Sequence, residues 1–211
     1  MIQMLKFTAH LLVAGSIALL PSCSKGSEKS GPSAQKSKAS LSEHDKFRQW
    51  HDVCLQCDTN KIAEQIVKFE AALVRTPTND LARAYLGSAY ALKAKHSFFP
   101  PTKLSSLKKG KALMEAAVVG SPNKPRVRMV RAIAYYKVPR RFGTRVTSIS
   151  DFEVLLDETK KTKSSLKANE KQAILYYASL AFAEESHKSA AEAKLLCHKI
   201  DPNSEYGKRT K

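Results

Sequence analysis

The sequence predicts an all-α fold, on three observations. From about residue 43 onward, alanine, leucine, lysine and aromatic residues recur at three- and four-residue spacings, with no sustained alternation of the kind a strand needs. Capping residues and prolines cut that periodic stretch into helix-length pieces. The 211 residues have a hydrophobic share of 43%, enough for one sizeable core or one short repeat array.

Before the helical part come two segments of other character. Lys6 is the only charge in a short start; an apolar run from Phe7 to Leu20, interrupted by His10, then leads to turn-forming residues and Cys23. This is the layout of a secretory signal. Its fourteen residues make about 21 Å of helix, short of the roughly 30 Å hydrocarbon core, which favours a cleaved segment over a permanent span. Leu20-Pro21-Ser22-Cys23 resembles a bacterial lipobox, with an aliphatic residue three before the cysteine and a small one directly before it. The resemblance implies cleavage before Cys23 and acylation of its thiol and new amino group. Ser24 in place of aspartate implies, by the same resemblance, the periplasmic face of the outer membrane. Residues 1–22 are then a signal peptide. Residues 24–42, with seven serines, four lysines and Leu41 as the only apolar residue larger than alanine, cannot bury enough surface to offset the entropy of ordering them, so 23–42 reads as a tether.

The helical domain, 43–211, is clearest at its C-terminal end. In NEKQAILYYASLAFAEES, Asn169 is placed to cap a helix with Gln172 reaching back, and Ile174, Tyr177, Ala178 and Ala181 share one face. A second helix, HKSAAEAKLLCHKI, stops at Asp201-Pro202-Asn203. Residues 171–204 resemble a tetratricopeptide repeat, whose period is 34 residues: Ala178, Ala190 and Cys197 take its small positions and Pro202 its closing proline. An earlier copy has Leu86, Gly87 and Tyr90 in its first helix and Gly110, Met114, Ala117 and Pro122 in its second. A further copy has Val127, Val130 and Ala134, then Phe152 and Leu155, with Arg131 where the pattern has a small residue. Phe69, Ala72 and Pro77 carry second-helix spacing in a leading fragment. The resemblance implies a short right-handed superhelical array of hairpins, TPR-like, with a curved surface for partners. HSFFPPTKL and KVPRRFGTR exceed the pattern and are read as two long intra-repeat loops. A three- or four-helix bundle is the alternative.

Candidate chemistry is sparse. WHDVCLQC sets His51, Cys54 and Cys57 as HxxCxxC, open to several readings: a disulfide within the pair or to Cys197, free buried thiols, or a zinc or redox site with Cys197 and His198 near. The CxxC lacks the histidine that haem attachment needs, and no strand precedes it as a thioredoxin-like pair requires. HExxH and GxSxG are absent, and the one GxxxxG, Gly26 to Gly31, is followed by Pro32 where a phosphate-binding lysine belongs. The expectation is a protein that is not an enzyme, with no catalytic residue, metal, cofactor or small-molecule substrate. Asp151, Glu153, Asp157 and Glu158 read as a solvated helix face.

Charge is the stronger signal. Thirty-six Lys and Arg against nineteen Asp and Glu give +17, and fourteen units of that excess lie between Leu81 and Thr147, where fifteen bases meet one acid, Glu115. Arg128 and Arg131, three apart, should share a helix face. The reading that follows is a membrane-tethered scaffold of the cell envelope, lipid-anchored through Cys23, binding an acidic protein or anionic envelope polymer. Arg126, Arg128, Arg131, Arg140, Arg141 and Arg145 are its expected contacts. A cytosolic nucleic-acid-binding protein would use the same bases on phosphates, and requires residues 1–22 to be retained; it is the less favoured reading. A thiol or zinc protein using HxxCxxC is the third.

Overall fold

A computed structural model describes residues 41–56 and 58–211. The signal segment, Cys23, the tether up to residue 40 and Cys57 lie outside the described residues. Among the described residues all regular structure is helical: α1 (Glu43–Cys54), α2 (Thr59–Arg75), α3 (Asp80–His96), α4 (Pro100–Gly120), α5 (Pro125–Lys137), a 3-10 turn (Arg140–Phe142), α6 (Arg145–Lys160), α7 (Ala168–Glu184), α8 (Ala190–Ile200) and α9 (Glu205–Arg209).

Local chemistry sets the boundaries. Side-chain oxygens of Ser42, Asp58 and Asn79 accept from the orphan N–H groups that open α1, α2 and α3. α4 and α5 instead start on Pro100 and Pro125, whose fixed φ suits a first helical position. At α7 the expected cap is displaced. Lys167 is the N-cap and Glu170, rather than Gln172, reaches back, accepting from Lys167 N–H at 2.7 Å. Gln172 donates to the carbonyls of Cys197 and Asp201 at 3.1 and 2.8 Å, satisfying the C-terminal end of α8.

Consecutive helices pair as hairpins, and each odd-numbered helix also packs on the next: α1 on α3, α3 on α5, α5 on α7 and α7 on α9. The closest crossing is α3 on α4. A Cβ at Gly87 would stand 2.7 Å from the Gly110 carbonyl oxygen, and one at Gly110 would stand 2.6 Å from the Gly87 oxygen, so neither position accepts a side chain without the backbones separating. The core follows the array. One cluster joins α1, α2 and α3 to Ala117, Val118, Val127 and Val130, and a second runs from Met129 through α6, α7 and α8. Phe47, Trp50, Phe69 and Tyr85 form a continuous aromatic chain in the first.

The two expected long loops are short. Only Ser97, Phe98 and Phe99 separate α3 from α4, because Pro100 starts the helix and the extra residues lengthen it to 21 residues. The second connection winds into the 3-10 turn and closes on Gly143 at φ 69°, a left-handed conformation that glycine adopts without strain. No helix among the described residues is long and apolar enough to cross a membrane.

Candidate basic interface

The structure brings five of the six expected contact arginines to carboxylates from later helices. Arg128 and Arg131 do share a face, and that face meets α6. Asp151 Oδ1 accepts from Arg128 Nη1 at 2.7 Å and from Arg131 Nη2 at 2.9 Å, while Oδ2 accepts from Arg131 Nε at 2.8 Å. Arg131 also reaches Glu115 at 3.0 Å, and Tyr135 donates to the same carboxylate at 2.7 Å. Arg131 is 8% and Asp151 1% exposed. Burial opposes the Arg131 charge, but its bonds to Asp151 outweigh that and hold its pKa above the ordinary range. Asp151 is therefore buried, not part of a solvated face; Glu153 and Asp157 of the same run are exposed. The small residue expected at position 131 is replaced by an internal ion pair across the α5–α6 crossing.

Arg126 grips Glu170 on α7 through Nε and Nη2, at 2.9 and 3.0 Å, and donates to the Ser165 carbonyl. His44 Nε2 stands 3.0 Å from the same carboxylate, and burial pushes the His44 pKa down against the pull of Glu170. Beside them Lys167 Nζ meets Asp45 Oδ1 at 2.7 Å; the hydrogen bond from Lys167, with one from Ser42, holds Asp45 down to about 2. At the far end of α7, Glu184 collects Arg140 at 3.1 Å, Arg145 at 3.2 Å and the Tyr136 hydroxyl at 2.6 Å. The bond from Tyr136, then that from Arg140, keeps Glu184 ionised below its ordinary range. Arg141 is different: it is exposed and lies over the Phe142 ring at 5.0 Å.

Of the cysteine segment, Trp50 and Cys54 pack into the first core cluster. Cys54 is a buried free thiol donating to the Trp50 carbonyl at 3.4 Å, and burial raises its pKa to about 11. His51 Nε2 is 2.8 Å from Ser88 Oγ, its ring lies 5.3 Å from Tyr85, and burial lowers its pKa to about 4. Cys197, also a free thiol, sits in the second cluster, bonded to the Gln172 carbonyl at 3.4 Å. No bond joins Cys54 to Cys197, because their helices belong to different clusters. Among the described residues no three His, Cys, Asp or Glu side chains converge as a metal site.

The residues that organise this surface are acids the basic segment could not reveal: Asp151, Glu170 and Glu184. Glu170 alone carried a signal, standing three residues after the N-cap where a capping box has its acid. What remains free of ion pairs among the described residues is mostly lysine. Lys95, Lys103, Lys108, Lys124 and Lys137 are exposed, with Arg141. A recess of about 280 Å³ opens between Pro122, Asn123, Pro125 and Arg128 on one side and Val154, Leu155, Glu158 and Lys161 on the other. No family model, no curated protein and no solved structure matches the chain.

Proposed function

We propose that the chain is a non-enzymatic, membrane-tethered helical-repeat scaffold of the bacterial envelope, anchored through an acylated Cys23 and binding an acidic protein or polymer. The observation that carries this reading is the stacking order, in which hairpin follows hairpin and each odd-numbered helix packs on the next. Each hairpin has an apolar face that it cannot cover alone, which is the logic of a repeat array such as the tetratricopeptide type. The glycine crossing of α3 on α4 and the fully buried Ala117 and Ala178 support the same register.

The ion pairs refine the contact surface. Arg126, Arg128, Arg131 and Arg145 hold helix to helix, and a partner would have to break those pairs to use them. The contact is carried instead by Arg141 and Arg140 on the α5–α6 turn, where Arg140 keeps half its side chain in solvent, and by Lys137 before them. Two measurements test the reading. The intact mass of the protein from a membrane fraction should match a chain beginning at an acylated Cys23; a full-length unmodified mass overturns the envelope assignment. A photo-crosslinker at position 141 should capture an acidic species that one at Val74, exposed on α2, does not. Equal capture at both positions, or capture of nucleic acid at 141, overturns the contact.

A further inference from the structure

The turn from α3 to α4 exposes its apolar side chains. Phe98 is fully exposed at 100% and Phe99 at 62%, and Leu104, one turn into α4, at 59%. Isolated exposed apolar residues are ordinary, but two adjacent exposed phenylalanines at a turn, with a leucine in the helix they open, are not.

The start of α4 has a second peculiarity. Phe99 is its N-cap and makes no side-chain cap bond, and Pro100 and Pro101 occupy the first two helical positions. The opening N–H groups of a helix are orphans that need a cap or water. Proline has none, so two of the opening positions of this helix carry no donor to satisfy. Such an end loses little on entering a medium of low dielectric, where an unpaired donor is costly.

Charge completes the pattern. Lys95, Lys103 and Lys108 flank the tip, all exposed and none ion-paired among the described residues, and the sequence carries no acid between Asp80 and Glu115. Lys103 and Lys108 lie about 5 and 12 Å along the helix from Pro100.

The geometry points to Phe98, Phe99 and Leu104, flanked by Lys95, Lys103 and Lys108, as a docking tip that inserts into the surface of an anionic phospholipid bilayer. This goes beyond the scaffold reading, which uses the membrane only through Cys23, and does not depend on it. The tip would hold the folded domain against the bilayer with the neighbouring Arg141 turn beside it.

The test uses the full chain with a tryptophan at position 98, and separately at Val119, 78% exposed near the other end of α4. Trp50 gives both variants the same background. Vesicles of phosphatidylcholine alone, or with phosphatidylglycerol, carry bromine-labelled acyl chains that quench a tryptophan only on insertion. The expected result is strong quenching at 98 and little at 119, with anionic vesicles only. Changing Lys95, Lys103 and Lys108 together to glutamate should weaken partitioning by more than about tenfold. Because the comparison is between a position just before α4 and one near its other end, attachment through the N-terminal segment cannot mimic it. Equal quenching at 98 and 119, or equal quenching with neutral vesicles, overturns the proposal. So does emission at 98 that ignores vesicles but shifts with polyphosphate or with protein concentration, which would assign the tip to a soluble polymer or a second copy.

Discussion

Arg131 and Arg141 belong to one basic segment and have opposite fates. Arg131 is enclosed by Asp151 and Glu115, whereas Arg141 lies on the surface over Phe142. Removing Arg131 takes away two of the three hydrogen bonds to the buried Asp151 and leaves only that from Arg128, so Arg131→Ala should cost about 1–3 kcal/mol in urea unfolding. Arg141→Ala should stay within about 0.5 kcal/mol, as surface substitutions do. Equal costs would show that burial does not separate the two. The sequence displayed these charges but not their pairing, because the partners lie 20 residues away for Arg131–Asp151 and 44 for Arg126–Glu170. Spacing rules reach only four residues along a helix. His51 behaves as a buried base. With its pKa lowered from 6.5 to about 4, the unfolded chain takes up the proton first, so stability falls as pH drops through that window. The contribution is on the order of 3 kcal/mol, and His51→Gln should flatten a melting-temperature profile between pH 7 and 4.

At the scale of elements, the glycine crossing was legible and the connections were not. Gly87 and Gly110 stood at small-residue positions of the repeat pattern, and the structure brings each against the other's carbonyl. Alanine would favour an isolated helix by about 1 kcal/mol, but here the added methyl meets backbone that must move. Gly87→Ala should therefore destabilise by roughly 1–3 kcal/mol, while Ala112→Gly, on the exposed face of α4, should lose only about the propensity term. Chemical denaturation of the two variants separates packing from propensity. The connection 97–99 read as a long loop because two phenylalanines and two prolines interrupt the periodicity. Proline at a first helical turn is a start as much as a stop, and only the structure decided between them.

Across the whole domain, the starts of α1, α3, α5 and α7 are joined in a closed circuit at one edge. Asn79 donates to Glu43 at 2.9 Å, Ser121 before α5 donates to Asp80 at 2.7 Å, Arg126 holds Glu170, and Lys167 returns to Asp45. The last link ties residues 122 apart in sequence, so the first hairpin is fastened directly to the last. Its two parts differ in strength. Lys167–Asp45 is solvent-screened and weak, whereas the Glu170 side chain is 3% exposed and neutralises Arg126 beside His44. Glu170→Gln should thus loosen α1 together with α5 and α7, visible as faster amide exchange in all three, while the α3–α4 crossing keeps its protection. Exchange that quickens in α5 and α7 but not in α1 would mean that the circuit is open in solution. Acid should act in the same order. Asp45, depressed to about 2, keeps its link down to pH well below 3.8, whereas His44 and His51, both lowered, favour protonation of the unfolded chain as pH falls below 6.5. Lowering the pH from 7 to 4 should therefore release α1 through its histidines while Asp45–Lys167 is still paired, and exchange in α1 at pH 5 should exceed that at pH 7 after correction for the intrinsic rate.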